Sequence, residues 1–199
     1  TSSDSTRVAG VVTTKLTPTT APFSTAHVAD LSLTLIDSLD FTFSFPLVAT
    51  ITANAAANSM LVTMETPGAA APVVANSFSQ TGNDLRIAGQ ANVNCSGLAC
   101  GAITLPDNPQ VFDNSGIITD INGTLNQTGS IIGLTFPIEF TGTFDLDGTN
   151  FLDLQLSGTV RASGIASPPP DESNIATVTI TTVPEIVTKP DTYHVLEDT

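Results

Sequence analysis

Apolar residues recur at every second position through most of this chain, and that period decides what it can fold into. Leu31, Leu33 and Leu35 alternate with Ser32 and Thr34, and Phe41, Phe43 and Phe45 with Thr42 and Ser44. Leu85, Ile87, Gly89, Ala91 and Val93 line one face of a later segment, with Arg86, Gln90 and Asn92 on the other. Ile117, Thr119, Ile121 and Leu125 continue the theme. A period of two places one side of each strand in a core and the other in water. Helical spacing competes only around Ala53 to Met60, where alanines support a short helical turn.

The clearest hairpin spans Ile138 to Val160. Ile138, Phe140, Phe144 and Leu146 fall on one face of its first strand, and Leu152, Leu154, Leu156 and Val160 on one face of its second. Between them lies Asp147-Gly148-Thr149-Asn150, where the glycine tolerates the positive φ of a tight turn. Short strands punctuated by Gly, Asn and Pro predict an all-β fold. The expected form is an antiparallel β-sandwich or barrel, jelly-roll or Ig-like in type, with extended strand-like terminal arms. Asp40 to Pro46 and Gly133 to Phe140 echo each other weakly, as two similar strands or a duplication would.

Four segments follow. Residues 1–22 form an N-terminal arm or strand with a Thr/Pro linker, and residues 23–166 form the sheet body. Residues 167–174 are a Pro-rich linker, opening Ser167-Pro168-Pro169-Pro170, that is expected to be stiff and extended. Residues 175–199 are a second strand-like arm or the start of a following repeat, with Ala176 to Thr182 of high β propensity.

Charge excludes some functions. Five cations face nineteen carboxylates, for a net charge of −14, so no basic patch exists to hold a phosphate backbone. Nucleic acid and anionic membrane surfaces are excluded as partners on that ground. No run of about 18 apolar residues crosses a membrane as a helix. Cys95 and Cys100, the only cysteines, have four residues between them, one more pair than a redox motif carries, and His27 and His194 stand far from them in sequence. They read as a disulfide clipping a short turn, worth about 2 kcal/mol, and hence as a sign of an oxidising, extracellular compartment. Two buried free thiols are the alternative.

The run Asp191-Thr192-Tyr193-His194-Val195-Leu196-Glu197-Asp198-Thr199 resembles the opening strand of bacterial cadherin-like, immunoglobulin-like surface repeats. Those repeats begin with Asp, an aromatic residue two positions on, a Val and then Glu-Asp-Thr. The resemblance covers residues 191–199 alone and implies a large bacterial cell-surface protein with a further module following.

Asp145, Asp147, Asn150 and Asp153 are the candidate metal ligands. Oxygen donors at near-alternate positions around a glycine turn suit Ca²⁺, which takes six to eight oxygens. The late bidentate Glu of an EF-hand is missing, and a plain Asp-Gly hairpin turn is the alternative. Asp107, Asn108, Asp113 and Asn114 form a weaker second cluster.

Catalysis has little to build on. Neither histidine lies near a nucleophile elbow, and Glu65 and Glu139, the glutamates of the body, are not spaced as a pair. The expectation is a non-enzymatic structural or adhesive β-domain of a surface protein, partnered by its own copies or by neighbouring domains. In one version it is a module of a long adhesin. In the other it is a filament subunit linked by β-strand addition, with Val178 and Ile180 as inserting residues and Val8 and Val11 as the N-terminal alternative. A small-ligand-binding β-barrel and a secreted hydrolase are the competing readings.

Overall fold

The computed structural model describes residues 2–45, 49–101, 108–145, 151–165 and 176–182. Eleven strands follow in chain order: β1 (Val8–Thr17), β2 (Thr25–Leu35), β3 (Leu39–Phe45), β4 (Ala49–Ala55), β5 (Met60–Thr66), β6 (Ala71–Pro72), β7 (Ser77–Ser96), β8 (Gln110–Thr128), β9 (Ile131–Asp145), β10 (Phe151–Ile165) and β11 (Ala176–Thr182). All ladders between them are antiparallel. The alternation in the sequence therefore becomes strands throughout. The turn of helix expected around Ala53 to Met60 is not there: β4 runs through Ala55, and the chain continues past Asn58, whose φ is 60°, into β5, which follows β4 in the same direction along β7. Asn tolerates that left-handed conformation better than most residues.

The ladder goes round. From β7 it passes through β5, β2, β1, β11, β10, β9 and β8, and β8 pairs with β7 again, giving a sheet nearly closed into a barrel. One place in the ring is thin. β8 and β9 pair only from Thr124↔Thr135 to Thr128↔Ile131 and then part. Pro137 stands two residues past the Thr124↔Thr135 end of that ladder, and proline has no N–H to offer a neighbour. Among the described residues, β10 and β11 are joined at Ala162↔Thr182 and Ser163↔Thr181.

A three-stranded extension leaves one end of the barrel. β2 is prolonged by β3 and β5 by β4, so that β3–β4 pair with each other while β4 pairs with the far part of β7 from Asn92 to Ser96. β7, at 20 residues, thus belongs to both barrel and extension. Inside the ring, Val12, Leu16, Val28, Leu31, Leu33, Leu35, Leu85, Ile132, Leu134 and Phe136 are all essentially sealed from solvent. Burying each such side chain contributes roughly 1.5–3 kcal/mol, so the interior is the main source of stability. One close contact fixes the β1–β2 spacing: a Cβ at Gly10 would stand 1.9 Å from the Ser32 carbonyl oxygen, so only glycine fits there.

Candidate functional site

The candidate site is the seam where β11 joins the ring. β1 is β-rich in composition and alternates cleanly, with Val8, Val12, Thr14 and Leu16 turned inward and Lys15 outward. On one side it pairs with β2 from Val8↔Leu35 to Thr17↔Thr25. On the other it pairs with β11 from Val11↔Thr181 to Leu16↔Ala176. Of the two residues expected to insert, Ile180 stands in register with Val12 and Val178 with Thr14. Their β1 partners are both fully buried. Val8 and Val11, the N-terminal alternative, do not share a face: Val8 joins the core, whereas Val11 is 39% exposed on the outside. Both strand-like termini are thus neighbours in one ladder.

Thr14 was not singled out by the sequence reading. Its Oγ1 is buried and has no hydrogen-bond partner among the described residues. A β-bulge lies beside it, since Thr13 pairs with Asp30 but Thr14 with Val28, leaving Ala29 unmatched.

That bulge has a consequence one strand further on. β2 pairs with β6 at Thr25 and Ala26 and with β5 from Ser32 to Thr34, so Val28 falls in a gap between two partners. The side-chain amide of Gln80 fills the gap. Val28 N–H donates to Gln80 Oε1 at 2.7 Å, and Gln80 Nε2 donates to the Val28 carbonyl at 2.9 Å. Gln80 Nε2 also donates to Asn83 Oδ1 at 2.7 Å, and Asn83 Nδ2 donates to the Gln80 carbonyl at 2.8 Å. Asn83 Oδ1 further accepts the Gly68 N–H at 3.0 Å. Both amides are fully buried, and the network answers their polar groups. Gly82, at φ 72°, lets β7 bulge between them.

Asn108 repeats the device at the other end of β7. Val93 N–H donates to Asn108 Oδ1 at 2.8 Å, and Asn108 Nδ2 returns a bond to the Val93 carbonyl at 2.9 Å. The signal for Gln80 was present in the sequence, as a glutamine in step with inward-facing Phe78. Asn108 sits just before β8, where no periodicity points to it.

Cys95 and Cys100 are joined as a disulfide, which ties the end of β7 to the short 3-10 turn Leu98–Gly101. Leu98 stands 92% exposed on that clipped turn. Of the candidate calcium ligands, Asp145 ends β9 and pairs with Phe151, while Asp153 on β10 pairs with Thr143. The two positions are therefore offset by two residues on neighbouring strands. Asp147 and Asn150 lie outside the described residues, as do residues 191–199 of the repeat-like segment and His194.

In the weaker cluster, Asp113 is engaged by Arg86, whose Nε donates to Asp113 Oδ1 at 2.6 Å and whose Nη2 donates to Oδ2. That hydrogen bonding lowers the Asp113 pKa. Asn108 is committed to Val93, and Asp107 lies outside the described residues.

A second forked pair closes the start of β1. Arg7 Nε and Nη2 donate to Asp37 at 3.0 and 2.8 Å, and the Arg7 N–H adds a third bond at 2.9 Å. Hydrogen bonding to the guanidinium, more than charge alone, holds the Asp37 carboxyl down to about 2. His27 is half-buried on β2 and pairs in register with Lys15. Among the described residues no helix is long and apolar enough to cross a membrane. Against this geometry, comparison with family models, with curated proteins and with solved structures finds no match.

Proposed function

We propose that this chain is a non-enzymatic structural or adhesive module of an extracellular surface protein, built around a sheet that accepts an added strand. The observation that carries the reading is the seam: β11 reaches the ring across a Pro-rich connection and seats along β1, in register from Val11 to Leu16. Strand addition supplies affinity through backbone hydrogen bonds and specificity through alternate side chains. The Cys95–Cys100 disulfide supports an oxidising compartment. A net charge of −14 supports a solvated, outward-facing role and disfavours partners rich in phosphate.

The competing ligand-binding barrel would need room where Leu16, Leu31, Leu33, Leu85, Ile132 and Phe136 now fill the ring. Filled interiors are typical of small barrels that serve as frameworks.

The test is surface labelling in the organism that makes the protein. An antibody raised against the folded chain labels intact cells, or material shed from them. Labelling that needs permeabilised cells overturns the proposal.

A further inference from the structure

We propose that the N-terminal segment Ser2–Thr6 guards the outer edge of β3, and that a second copy of this chain displaces it by pairing β3 to β3 about Thr42. The inference concerns a different edge from the β11 seam and goes beyond the surface-module reading, on which it does not depend.

β3 ends the order of strands in the sheet, with β4 as its one strand partner among the described residues. Edges of this kind template pairing with another chain, and proteins cover them. Here the cover is built from side chains at alternate positions. The Thr42 N–H donates to Ser2 Oγ at 3.0 Å, and the Asp40 N–H donates to Asp4 Oδ2 at 2.8 Å. Next in the row, the Asp37 N–H donates to Thr6 Oγ1 at 3.1 Å. Ser2, Asp4 and Thr6 thus imitate the acceptors of a strand running antiparallel to β3. The firm end of this cover lies at Thr6, which is buried, and at Arg7, which forks onto Asp37. Ser2 and Asp4 are half-buried and their neighbours Ser3 and Ser5 exposed, so water can replace the two bonds over β3 at small net cost.

The sequence of β3 says what fits in place of the cover. Leu39-Asp40-Phe41-Thr42-Phe43-Ser44-Phe45 reads almost alike from either end about Thr42. A twofold axis at Thr42 sets Phe41 beside Phe43 of the partner copy and Asp40 beside its Ser44, so no carboxylate faces another in the ladder. The hydrogen bonding agrees with that register. Asp40 and Thr42 turn their N–H groups away from β4, toward Asp4 and Ser2. In an antiparallel pair every second residue exchanges both backbone bonds, and residues 40, 42 and 44 take that role here. Phe41 and Phe43 then fall at the closer, non-bonded positions, where aromatic pairs across strands gain most. Both are half-buried in the single chain, and Phe41 packs against the core. A strand of another sequence lacks this self-complementarity.

Sedimentation velocity tests the guard, at a physiological salt concentration that screens the net charge of −14. Ser2→Ala/Asp4→Ala removes the two bonds over β3 and leaves Thr6 and Arg7 in place. That variant is expected to self-associate about tenfold more tightly than the parent, moving its boundary toward twice the chain mass. Adding Thr42→Pro removes the N–H at the axis, at an edge position that tolerates proline, and is expected to restore the single chain. Cysteine cross-linking tests the register with the native disulfide kept. Under mild oxidation, Thr42→Cys is expected to join two copies, about tenfold less when Ser2 and Asp4 are intact. Ser44→Cys is expected to join none, since it faces Asp40 of the partner copy and lies beyond disulfide range of its own equivalent.

Equal association of the parent and Ser2→Ala/Asp4→Ala overturns the guard. Dimers that survive Thr42→Pro, or that cross-link as well through Ser44→Cys as through Thr42→Cys, overturn the β3 pairing. None of these results changes surface labelling of intact cells, so loss of this inference and loss of the surface-module reading are told apart.

Discussion

β7 and β11 both hold the ring shut, and they do so with very different resources. β7 is 20 residues long, is flanked by β5 and then β4 on one side and by β8 on the other, and carries the disulfide near its end. Side-chain amides stand in for backbone along it, Gln80 toward Val28 of β2 and Asn108 toward Val93. Among the described residues, β11 makes six register pairs with β1 and two with β10. No described amide bridges that second side. Among the described residues, β7 is thus the better supported of the two walls.

The comparison can be broken most directly at Gln80. Gln80→Ala strands the Val28 N–H and carbonyl in the interior and frees Asn83 from its partner, and each orphaned group costs about 1–3 kcal/mol. The expected loss is about 4 kcal/mol in denaturant unfolding, and a loss under about 1 kcal/mol would mean that water or a shifted strand takes over the amide's role.

Hydrogen exchange sharpens the contrast without a mutation. Amides of β7 between Leu85 and Ile87 are expected to be protected about a hundredfold more than those of β11, a gap of roughly 3 kcal/mol in opening free energy. Equal protection would show that the seam opens only with the whole barrel. Removing the clip with Cys95→Ala and Cys100→Ala together weakens the β7 side by about 2 kcal/mol, the entropy of a small closed loop. Thermal unfolding of the double variant against the parent reads it.

Thr14→Val works in the opposite direction, on the β11 side. It replaces a buried hydroxyl that has no described partner with a methyl of the same shape. A gain of about 1 kcal/mol is expected, and a loss would reveal a hidden partner for that hydroxyl.

The smallest effect belongs to the exposed pair Arg7–Asp37. Asp37 has its folded pKa depressed to about 2, below the ordinary carboxylate value. Its contribution is therefore fully present above the unfolded pKa of about 4 and is lost as pH falls through the folded value. Asp37→Asn is expected to flatten the fall in thermal midpoint between those limits. Its acid limb would otherwise superimpose on that of the parent.

Strand content was legible in the sequence because alternation is local. Leu31, Leu33 and Leu35, or Ile138 against Val160, declare a face within a few residues. β1 and β11 were legible as strand-like segments, β11 from its high β propensity. Their adjacency was not, since the pairing of Val12 with Ile180 joins distant parts of the chain and leaves no mark on either segment alone. The disulfide was legible from the spacing of two cysteines. Gln80 showed only as a polar residue in step with Phe78, and Asn108 showed nothing of this role, because an amide that imitates a strand has the composition of any polar residue, and only the gap it fills gives it meaning. The seam is hardest of all to read, since it joins two segments that lie far apart in the sequence.

Antiparallel neighbours at the seam also set how the molecule responds to pulling. The start of β1 and the finish of β11 lie at one end of the barrel, near the pair Val11↔Thr181. Tension entering before Val8 and leaving beyond Thr182 would not shear the six pairs together. It would load them in succession, as a zip opens, with each pair failing before the next bears weight. A ladder loaded that way yields at low force and lengthens gradually. The seam would then act as an extensible element, while the sheet around β7 stays intact until the whole ring gives way.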